Sequence, residues 1–429
     1  MFRIYHYQTR STCIAILGGF KMKQLLEKYA ALAVNIGVNI QKGQTLLIRS
    51  SITSAPFTRL IVKKAYEAGA KNVNVLWSDD EVIRLHFDLA PDESFTEMPE
   101  YLVKAYEEVV EKDHALLSIG SDDPDLLSGV PTERIANSTK TVGTALEKFY
   151  RALQADKVSW SIVAVPSAAW AAKVFPNLKT TEEQIEALWQ AIFSATRADL
   201  ADPVAAWEGH LKNLATKSDF LNDKKFHALH FEAPGTDLTV ELPEKHFWCA
   251  AESISEKGIT FTSNIPTEEV FTMPKKTGVN GVVSSTKPLS YSGNLIDHFS
   301  LTFKDGEIVD FTAEQGYETL KTLIETDEGS KYLGEVALVP HSSPISASNL
   351  TFYNTLFDEN ASVHLAIGSA YAFNLVGGKT MSKEALAAAG ANDSITHVDF
   401  MIGCAEMNID AIAKDGQKTP IFRGGEWVI

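Results

Sequence analysis

The chain has 429 residues, 45% of them hydrophobic and 22% charged, which is typical of a globular protein of two or three domains. This composition excludes collagen-like and wholly disordered chains, and no apolar run reaches the roughly 18 residues that a membrane span needs. The formal net charge of −16 argues against nucleic acid as a partner. Three cysteines without a CxxC motif predict a reducing, cytoplasmic location.

The first 21 residues differ from the rest of the chain, because they are basic, carry no acid and contain only a short apolar stretch. We interpret residues 1–21 as a leader or a mis-assigned start; a signal or transit peptide is the alternative, although the stretch has no clean small-residue cleavage pattern after it. From Met22 onward, apolar residues recur at helical spacing up to Gly37, which predicts the first helix.

Short apolar segments then alternate with amphipathic ones. The predicted strands cover residues 43–51, 71–79, 115–124 and 158–167. The predicted helices cover residues 55–70, 99–114, 131–153 and 181–196. This alternation predicts an N-terminal α/β domain over residues 22–224, with a mostly parallel sheet and helices on both faces.

The pattern changes after residue 225, where short alternating segments are rich in β-branched and aromatic residues. The sequence KDGE at 304–307 is typical of a hairpin turn. We therefore predict a C-terminal, β-rich α+β domain over residues 225–429. GxGxxG, HExxH and GxSxG motifs are absent from the sequence, so a nucleotide-binding loop and a nucleophilic serine elbow have no support.

The sharpest candidate site lies in THVDFMIG, which has the pattern of a strand. His397 and Asp399 are two residues apart and would project from the same face, where imidazole and carboxylate suit a divalent cation. A polar surface strand, or a histidine hydrogen-bonded to a core carboxylate, is the alternative. Glu335 in YLGEVALVP is either a buried metal ligand or a residue on the solvent-exposed face of a strand.

Two further segments carry acids and a histidine. In LFDENASVH, Glu359 and His364 are either ligands or members of a solvated turn. In TEEVFT, the neighbours Glu268 and Glu269 can serve one site only where the backbone is irregular, since a regular strand would direct them to opposite faces. One could then bind metal while the other accepts a proton. Together the segments fit a two-metal hydrolytic centre with a bridging water.

At these same segments the sequence resembles the thermophilic metalloaminopeptidase family, of the aminopeptidase T, AmpS and PepS type. The resemblance rests on NIPTEEVFTMPKKTGVNGVV, GEVALVP, ENASVHLAIGSAY and HVDFMIG, and it extends from Met22 to the C-terminus. It implies metal ligands at six positions: Glu269, Glu335, Glu359, His364, His397 and Asp399. It also implies Glu335 as a bridge between the metals, Glu268 as general base and Tyr371 as oxyanion stabiliser. The resemblance further implies that the C-terminal domain is the metal-binding, catalytic domain and that the protein is a homodimer.

The resulting hypothesis is a two-metal aminopeptidase that removes N-terminal residues from peptides through a metal-bridging water, with Co, Zn, Mn or Mg as the metals. A two-metal phosphoesterase is one alternative, for which Lys275, Lys276 and Lys379 are the nearby cations. A non-catalytic binding protein with solvated carboxylates is the other.

Overall fold

The fold is taken from a computed structural model, in which residues 19–121, 123–291 and 294–429 are described. Most of the predicted leader, residues 1–18, lies outside these described residues. The first helix begins at Gly19 instead of Met22, so residues 19–21 belong to it. Its buried stripe includes Leu25 and Tyr29 at helical spacing, as the sequence predicts.

The first part of the chain builds a four-stranded parallel sheet. Its strands are β1 (Thr45–Ser51), β2 (Asn72–Ser78), β3 (Ala115–Gly120) and β4 (Trp160–Ala164), in the spatial order β2-β1-β3-β4. The helices around it are α1 (Gly19–Leu32), α2 (Ala55–Glu67), α3 (Asp80–Leu89), α4 (Glu100–Glu111), α5 (Thr132–Ala145), α6 (Glu147–Gln154), α7 (Ala168–Val174), α8 (Thr181–Ala195) and α9 (Pro203–Lys224).

This part confirms the predicted fold class, because apolar strands alternate with helices around a parallel sheet. The helix predicted over residues 131–153 is divided into α5 and α6. The division falls at Leu146, whose φ of −103° and ψ of 13° lie outside helical values. Leu146 is buried in a hydrophobic cluster with Phe149 and Val158, and this packing redirects the chain.

The second part of the chain is rich in strands and contains a nine-stranded sheet. Its strands are β5 (Ala228–Ala233), β6 (Thr236–Glu241), β10 (Val279–Ser284), β11 (Leu289–Tyr291), β12 (Asn294–Lys304), β13 (Glu307–Gln315), β17 (Asn408–Ile412), β18 (Lys418–Arg423) and β19 (Glu426–Trp427). Their spatial order is β11-β12-β10-β6-β5-β17-β18-β19, with β13 paired to β12. Asp305 and Gly306 turn the predicted β12–β13 hairpin with positive φ values of 51° and 88°.

A smaller antiparallel sheet carries most of the candidate site. Its strands are β9 (Val270–Thr272), β14 (Leu333–Leu338), β15 (His364–Gly368) and β16 (His397–Met401), in the spatial order β16-β15-β14-β9. A two-stranded ribbon consists of β7 (Glu252–Ile254) and β8 (Thr260–Thr262). Short helices connect these strands: α10 (Tyr317–Ile324), α11 (Pro344–Ala347), α12 (Thr355–Asp358) and α13 (Lys383–Ala388).

The parallel sheet and the strand-rich part meet at β4. Ile162 of β4 forms an isolated parallel bridge with Asn264, and its amide donates to Ser263 O over 2.7 Å. One hydrophobic cluster contains residues of both parts, such as Leu46 and Leu229. Helix α9 ends at Lys224, next to the predicted domain boundary, and the division into two domains stays a prediction.

Within the described ranges, no helix combines the length and the apolar character that crossing a bilayer requires.

Candidate metal centre

The small antiparallel sheet presents acids and histidines on one face. Ala366 of β15 is in register with Glu335 of β14 on one side and with Asp399 of β16 on the other. Opposite residues of antiparallel strands share a face, and so do residues two apart along a strand. His364 and His397 therefore project to the same side as the two carboxylates. The small side chain of Ala366 leaves the space between them open.

Glu335 stands between the two imidazoles. His364 Nε2 lies 3.7 Å from Glu335 Oε1, and His397 Nε2 lies 3.4 Å from Glu335 Oε2. His364 Nε2 also lies 3.2 Å from Glu269 Oε2, and His397 Nε2 lies 3.5 Å from Asp399 Oδ1. These residues form two groups with candidate ligand atoms within 4.8 Å of one another, and Glu335 belongs to both.

Backbone carbonyls orient both imidazoles. His364 Nδ1 lies 3.1 Å from Ser362 O, and His397 Nδ1 lies 2.7 Å from Ser369 O. A carbonyl oxygen can only accept, so each Nδ1 must carry the hydrogen and donate it. Each Nε2 is then the nitrogen that faces the carboxylates and is available to a metal, as in other histidine metal sites.

Burial and mutual repulsion shift the pKa values of the carboxylates. Burial raises the pKa of Glu269, and the neighbouring carboxylates of Glu335 and Asp399 raise it further. Burial raises the pKa of Glu359 well above its ordinary value, with the charges of Glu269 and Asp399 adding to the effect. Burial opposes ionisation of Asp399 as well, but the adjacent His397 outweighs it and lowers that pKa.

Burial lowers the pKa values of the two histidines, whereas the nearby carboxylates raise them. Burial lowers the pKa of His364, but its contacts with Glu269 and Glu335 outweigh this and raise the pKa well above the ordinary value. Burial likewise lowers the pKa of His397, and the charges of Asp399 and Glu335 outweigh it. The carboxylates around each imidazole therefore stabilise positive charge at the position where a metal cation would bind.

The residues present fit divalent metal ions. Asp399 Oδ1 is buried and accepts no hydrogen bond from any described residue. Among the described ion pairs, Glu269, Glu335 and Asp399 contact histidines and no lysine or arginine. Buried carboxylates are retained when they are paired or coordinate metals, and mixed oxygen and nitrogen ligands suit Zn, Co or Mn.

Glu359 and Tyr371 border the two groups. Glu359 opens a single 3₁₀ turn, Glu359–Ala361, directly after α12, and it lines the same cavity as the other acids, outside the two tight groups. Tyr371 stacks on Phe373 with 5.0 Å between ring centres and lies 4.6 Å from the ring of His397. Burial and the nearby carboxylates raise the pKa of Tyr371 well above its ordinary value, so its hydroxyl keeps the proton.

Glu268 is directed away from this cluster. Both of its oxygens accept hydrogen bonds from the guanidinium of Arg197, and Arg197 Nη2 lies 2.9 Å from Glu268 Oε2. His210 Nε2 stands 3.6 Å from the same oxygen. Glu268 is 3% exposed and does not line the cavity, whereas the neighbouring Glu269 does. The general-base role of Glu268 stays a prediction, and the sequence offered no signal for its partner Arg197.

A cavity of about 780 Å³ opens over the acids and histidines. Its far wall belongs to the parallel sheet and includes Arg49, Leu116, Ser118, Trp160 and Ile162. The sequence does not reveal these residues as part of the site, because nothing in the local pattern of a strand tells which distant segment packs against it. Other walls are aromatic: Tyr150, Phe247, Trp248, Phe271 and Phe373.

The lysines considered for a phosphoesterase do not support that alternative. Lys275 Nζ lies 2.7 Å from Glu241 Oε2, and Lys276 Nζ lies 4.4 Å from the ring centre of Tyr332. Neither lysine lines the cavity. Lys379 does line it, but its ammonium forms an ion pair with Asp156.

A mixed α/β fold with carboxylates and imidazoles gathered at one side of a large cavity defines a metal-dependent enzyme. Residues 22–427 match the family described as thermophilic metalloprotease (M29). The chain belongs to this family, and it is a hydrolase that acts on peptide bonds.

Similar proteins extend over nearly the whole chain. Aminopeptidase AmpS of Bacillus subtilis is 58% identical over 404 residues, which are 94% of this chain and 98% of the relative. Aminopeptidase T of Thermus thermophilus is 42% identical and matches over 95% of this chain and 99% of the relative. The solved structure of wild-type AmpT from Thermus thermophilus covers 95% of this chain and all of its own, with a TM-score of 0.90 and 41% identity.

Proposed function

We propose that the protein is an aminopeptidase that uses two divalent metal ions to release N-terminal residues from peptides. The observation that carries this proposal is the position of Glu335, whose two oxygens face two different imidazoles and which belongs to both ligand groups. The names of the similar proteins, aminopeptidase AmpS and aminopeptidase T, support exopeptidase activity at the N-terminus.

The proposed ligands are Glu269, Glu335, Glu359, His364, His397 and Asp399. Glu335 would be shared by the two ions, with Glu269 and His364 on one side and His397 and Asp399 on the other. Bound there, divalent ions supply Lewis acidity toward the scissile carbonyl and an activated, bridging water as the nucleophile. Co, Zn, Mn and Mg are the candidate metals.

The chain's own residues hold the peptide and stabilise charge. Tyr371 keeps its proton, so it can donate a hydrogen bond to the carbonyl oxygen of the peptide as negative charge develops on it. The aromatic walls, among them Phe247 and Phe271, can bury the side chain of the N-terminal residue and exclude water. The Nδ1 hydrogen bonds to Ser362 O and Ser369 O keep both imidazoles fixed.

Metal removal tests the proposal directly. We expect chelator-treated protein to lose activity and to regain it as two equivalents of Co²⁺, Zn²⁺ or Mn²⁺ bind per chain, because two groups of ligands share Glu335. Binding to the folded state alone also stabilises it, by about 2.7 kcal/mol at a hundredfold excess over Kd. Elemental analysis, calorimetric titration and thermal unfolding measure these effects.

The peptide test uses one short peptide in two forms, with a free and with an acetylated N-terminus. Release of the first residue from the free form only is the expected result. Binding of a single equivalent would contradict the two-metal proposal, and cleavage of the acetylated peptide would contradict exopeptidase action. The two failures are separate, because one concerns the metal count and the other the substrate.

The pair formed by Arg197 and Glu268 yields a second prediction. We expect E268Q and R197M each to lower activity and metal affinity about 10–100-fold, the range found when groups that orient metal ligands are removed. The pair is buried, with side chains 17% and 3% exposed, so breaking it also costs about 3–5 kcal/mol of stability. Kinetics, metal titration and thermal unfolding of both variants provide the measurement.

The comparison between these two variants separates positioning from proton transfer. If Glu268 is the general base, E268Q loses about 10²–10⁴-fold in kcat and keeps its metal, because the proton acceptor is lost while the ligands are untouched. If Glu268 acts by holding the adjacent Glu269 toward the cavity, the two variants behave alike. R59M is the matched control for R197M, because Arg59 is exposed on α2 and lies outside the cavity.

We further propose a homodimer in the cytoplasm. Val82, Leu85 and Leu89 form an apolar stripe along α3 and are 62%, 54% and 76% exposed, which supports a subunit interface there. Cys249 and Cys404 are free thiols, as expected in a reducing compartment. Light scattering of the wild type and of L85D checks the dimer.

A further inference from the structure

One row of residues crosses the cavity wall from the parallel sheet toward the candidate metal centre. Arg49 of β1 is in register with Ser118 of β3, and Ser118 is in register with Ile162 of β4. Ile162 in turn bridges to Asn264, which belongs to the segment that leads to Glu269. All these residues line the same cavity. The row therefore starts at a guanidinium and ends at Asn264, which lines the same cavity as the proposed ligands.

The length of this row corresponds to a short peptide. Neighbouring strands lie about 4.8 Å apart, so three steps from Asn264 to Arg49 amount to about 14 Å. An extended peptide advances about 3.4 Å per residue, so about four residues cover that distance. A peptide that lies along this row, with its N-terminus on the side of the proposed metal ligands, would thus bring its other end close to Arg49.

Arg49 is a cation that has no acidic partner within residues 19–121, 123–291 and 294–429. Among the described residues, no carboxylate forms an ion pair with it and no acceptor takes a hydrogen bond from it; its guanidinium lies 5.9 Å from the ring centre of Tyr106. It is partly buried in the cavity wall. By contrast, Lys379 on the same cavity is neutralised by Asp156. A partly desolvated guanidinium favours a carboxylate, which it can bind with two parallel hydrogen bonds.

We propose that Arg49 binds a carboxylate at the far end of a short peptide whose N-terminus lies at the candidate metal centre. This inference rests on the proposed aminopeptidase function and names its substrate class: peptides of about four residues that carry a free carboxylate. The source of the carboxylate is either the C-terminus or an acidic side chain near that end. Arg49 is thus a specificity-determining residue, remote from the scissile bond.

The experiment compares three substrates on the metal-loaded protein: tetra-alanine, its C-terminal amide, and the amide with glutamate as the fourth residue. We expect wild-type kcat/KM for tetra-alanine to exceed that for the amide about 10–100-fold, mainly through KM, as loss of a charge-assisted hydrogen-bond pair implies. In R49M the ratio should fall to about one. R49K should keep part of it, since a point charge replaces the guanidinium fork.

The control variant is R59M, which removes the same charge from the exposed face of α2 and should keep the wild-type ratio. If the wild type cleaves the glutamate amide better than the tetra-alanine amide and R49M does not, Arg49 binds any carboxylate at this distance. If only tetra-alanine with its free acid is preferred, Arg49 binds the C-terminal carboxylate. Both results support the proposal.

Equal cleavage of all three substrates by the wild type would overturn the inference and leave the aminopeptidase function intact. Cleavage of no substrate would overturn both. A uniform loss for all three substrates in R49M, together with a lower unfolding temperature, would mean that Arg49 acts by stacking on Tyr106 and not by binding the peptide. The ratio between substrates, which is independent of the amount of folded enzyme, keeps these outcomes apart.

Discussion

Replacing Glu335 with glutamine is expected to lower kcat by about a thousandfold or more and to reduce the metal content of the protein. Glu335 is the acid common to both ligand groups, so its loss weakens both proposed metal positions at once. A metal ion contributes several kcal/mol of charge stabilisation in the transition state, and each 1.36 kcal/mol corresponds to tenfold in rate. Kinetics and elemental analysis of E335Q provide the measurement.

The stability of E335Q distinguishes loss of the metal site from misfolding. In metal-free protein, Glu335 is 5% exposed; its charge repels Glu269, and it also pairs with His364 and His397. The substitution removes the repulsion and the pairing together, so the two effects offset each other in part. The distinguishing expectation is that E335Q gains less stability than the wild type when metal is added.

A matched control is E314Q, which makes the same change on the exposed face of β13. It should retain activity, metal and unfolding temperature. If E335Q instead kept two equivalents of metal and wild-type kcat, Glu335 would not be a shared ligand. If its metal-free form unfolded at a much lower temperature, the loss of activity would report a folding defect.

The layer architecture could be predicted from the sequence because it depends on local patterns. Strands with continuous apolar runs, such as β1 and β3, are buried on both faces, and their alternation with helices indicates a parallel sheet. The β12–β13 hairpin results from Asp305 and Gly306, since few other residues accept positive φ at both turn positions. The break between α5 and α6 could not be predicted, because it results from packing of Leu146.

Some of the acids and histidines of the candidate site could be predicted from the sequence for the same reason. His397 and Asp399 share a face because strand periodicity is two, and the structure has them on β16 as the spacing predicts. The burial of Glu335 could not be decided from the sequence, since its neighbours allow either a solvent-exposed or a buried face. Only the pairing of β14 between β15 and β9 makes Glu335 buried. Which strands become neighbours is a long-range property that local patterns do not contain.

The direction of Glu268 could not be predicted from the sequence. Two adjacent glutamates have equal chemistry, and the choice between them depends on Arg197, which comes from the turn between α8 and α9. The guanidinium of Arg197 binds Glu268, whereas Glu269 lines the cavity. The cavity wall raises the same difficulty, because Arg49 and Trp160 belong to the other sheet. The proposed metal ligands and the proposed carboxylate-binding residue, Arg49, therefore lie in different halves of the chain.

Removing the hydroxyl of Tyr371 should separate transition-state stabilisation from metal binding. We expect Y371F to lose about 10²–10³-fold in kcat, the range for a single oxyanion donor, with metal content unchanged. The ring remains, so its stacking on Phe373 and its contact with His397 persist. Burial raises the pKa of Tyr371, so the hydroxyl that would act as the donor keeps its proton at neutral pH.

Y332F is the matched control, since Tyr332 lies outside the cavity and its ring contact with Lys276 needs no hydroxyl. A wild-type kcat in Y371F would contradict the donor role and leave Tyr371 with packing alone. A lower metal content in Y371F would instead mean that the ring orients His397. A drop in kcat with normal metal content and unchanged KM is the pattern that an interaction made only in the transition state produces.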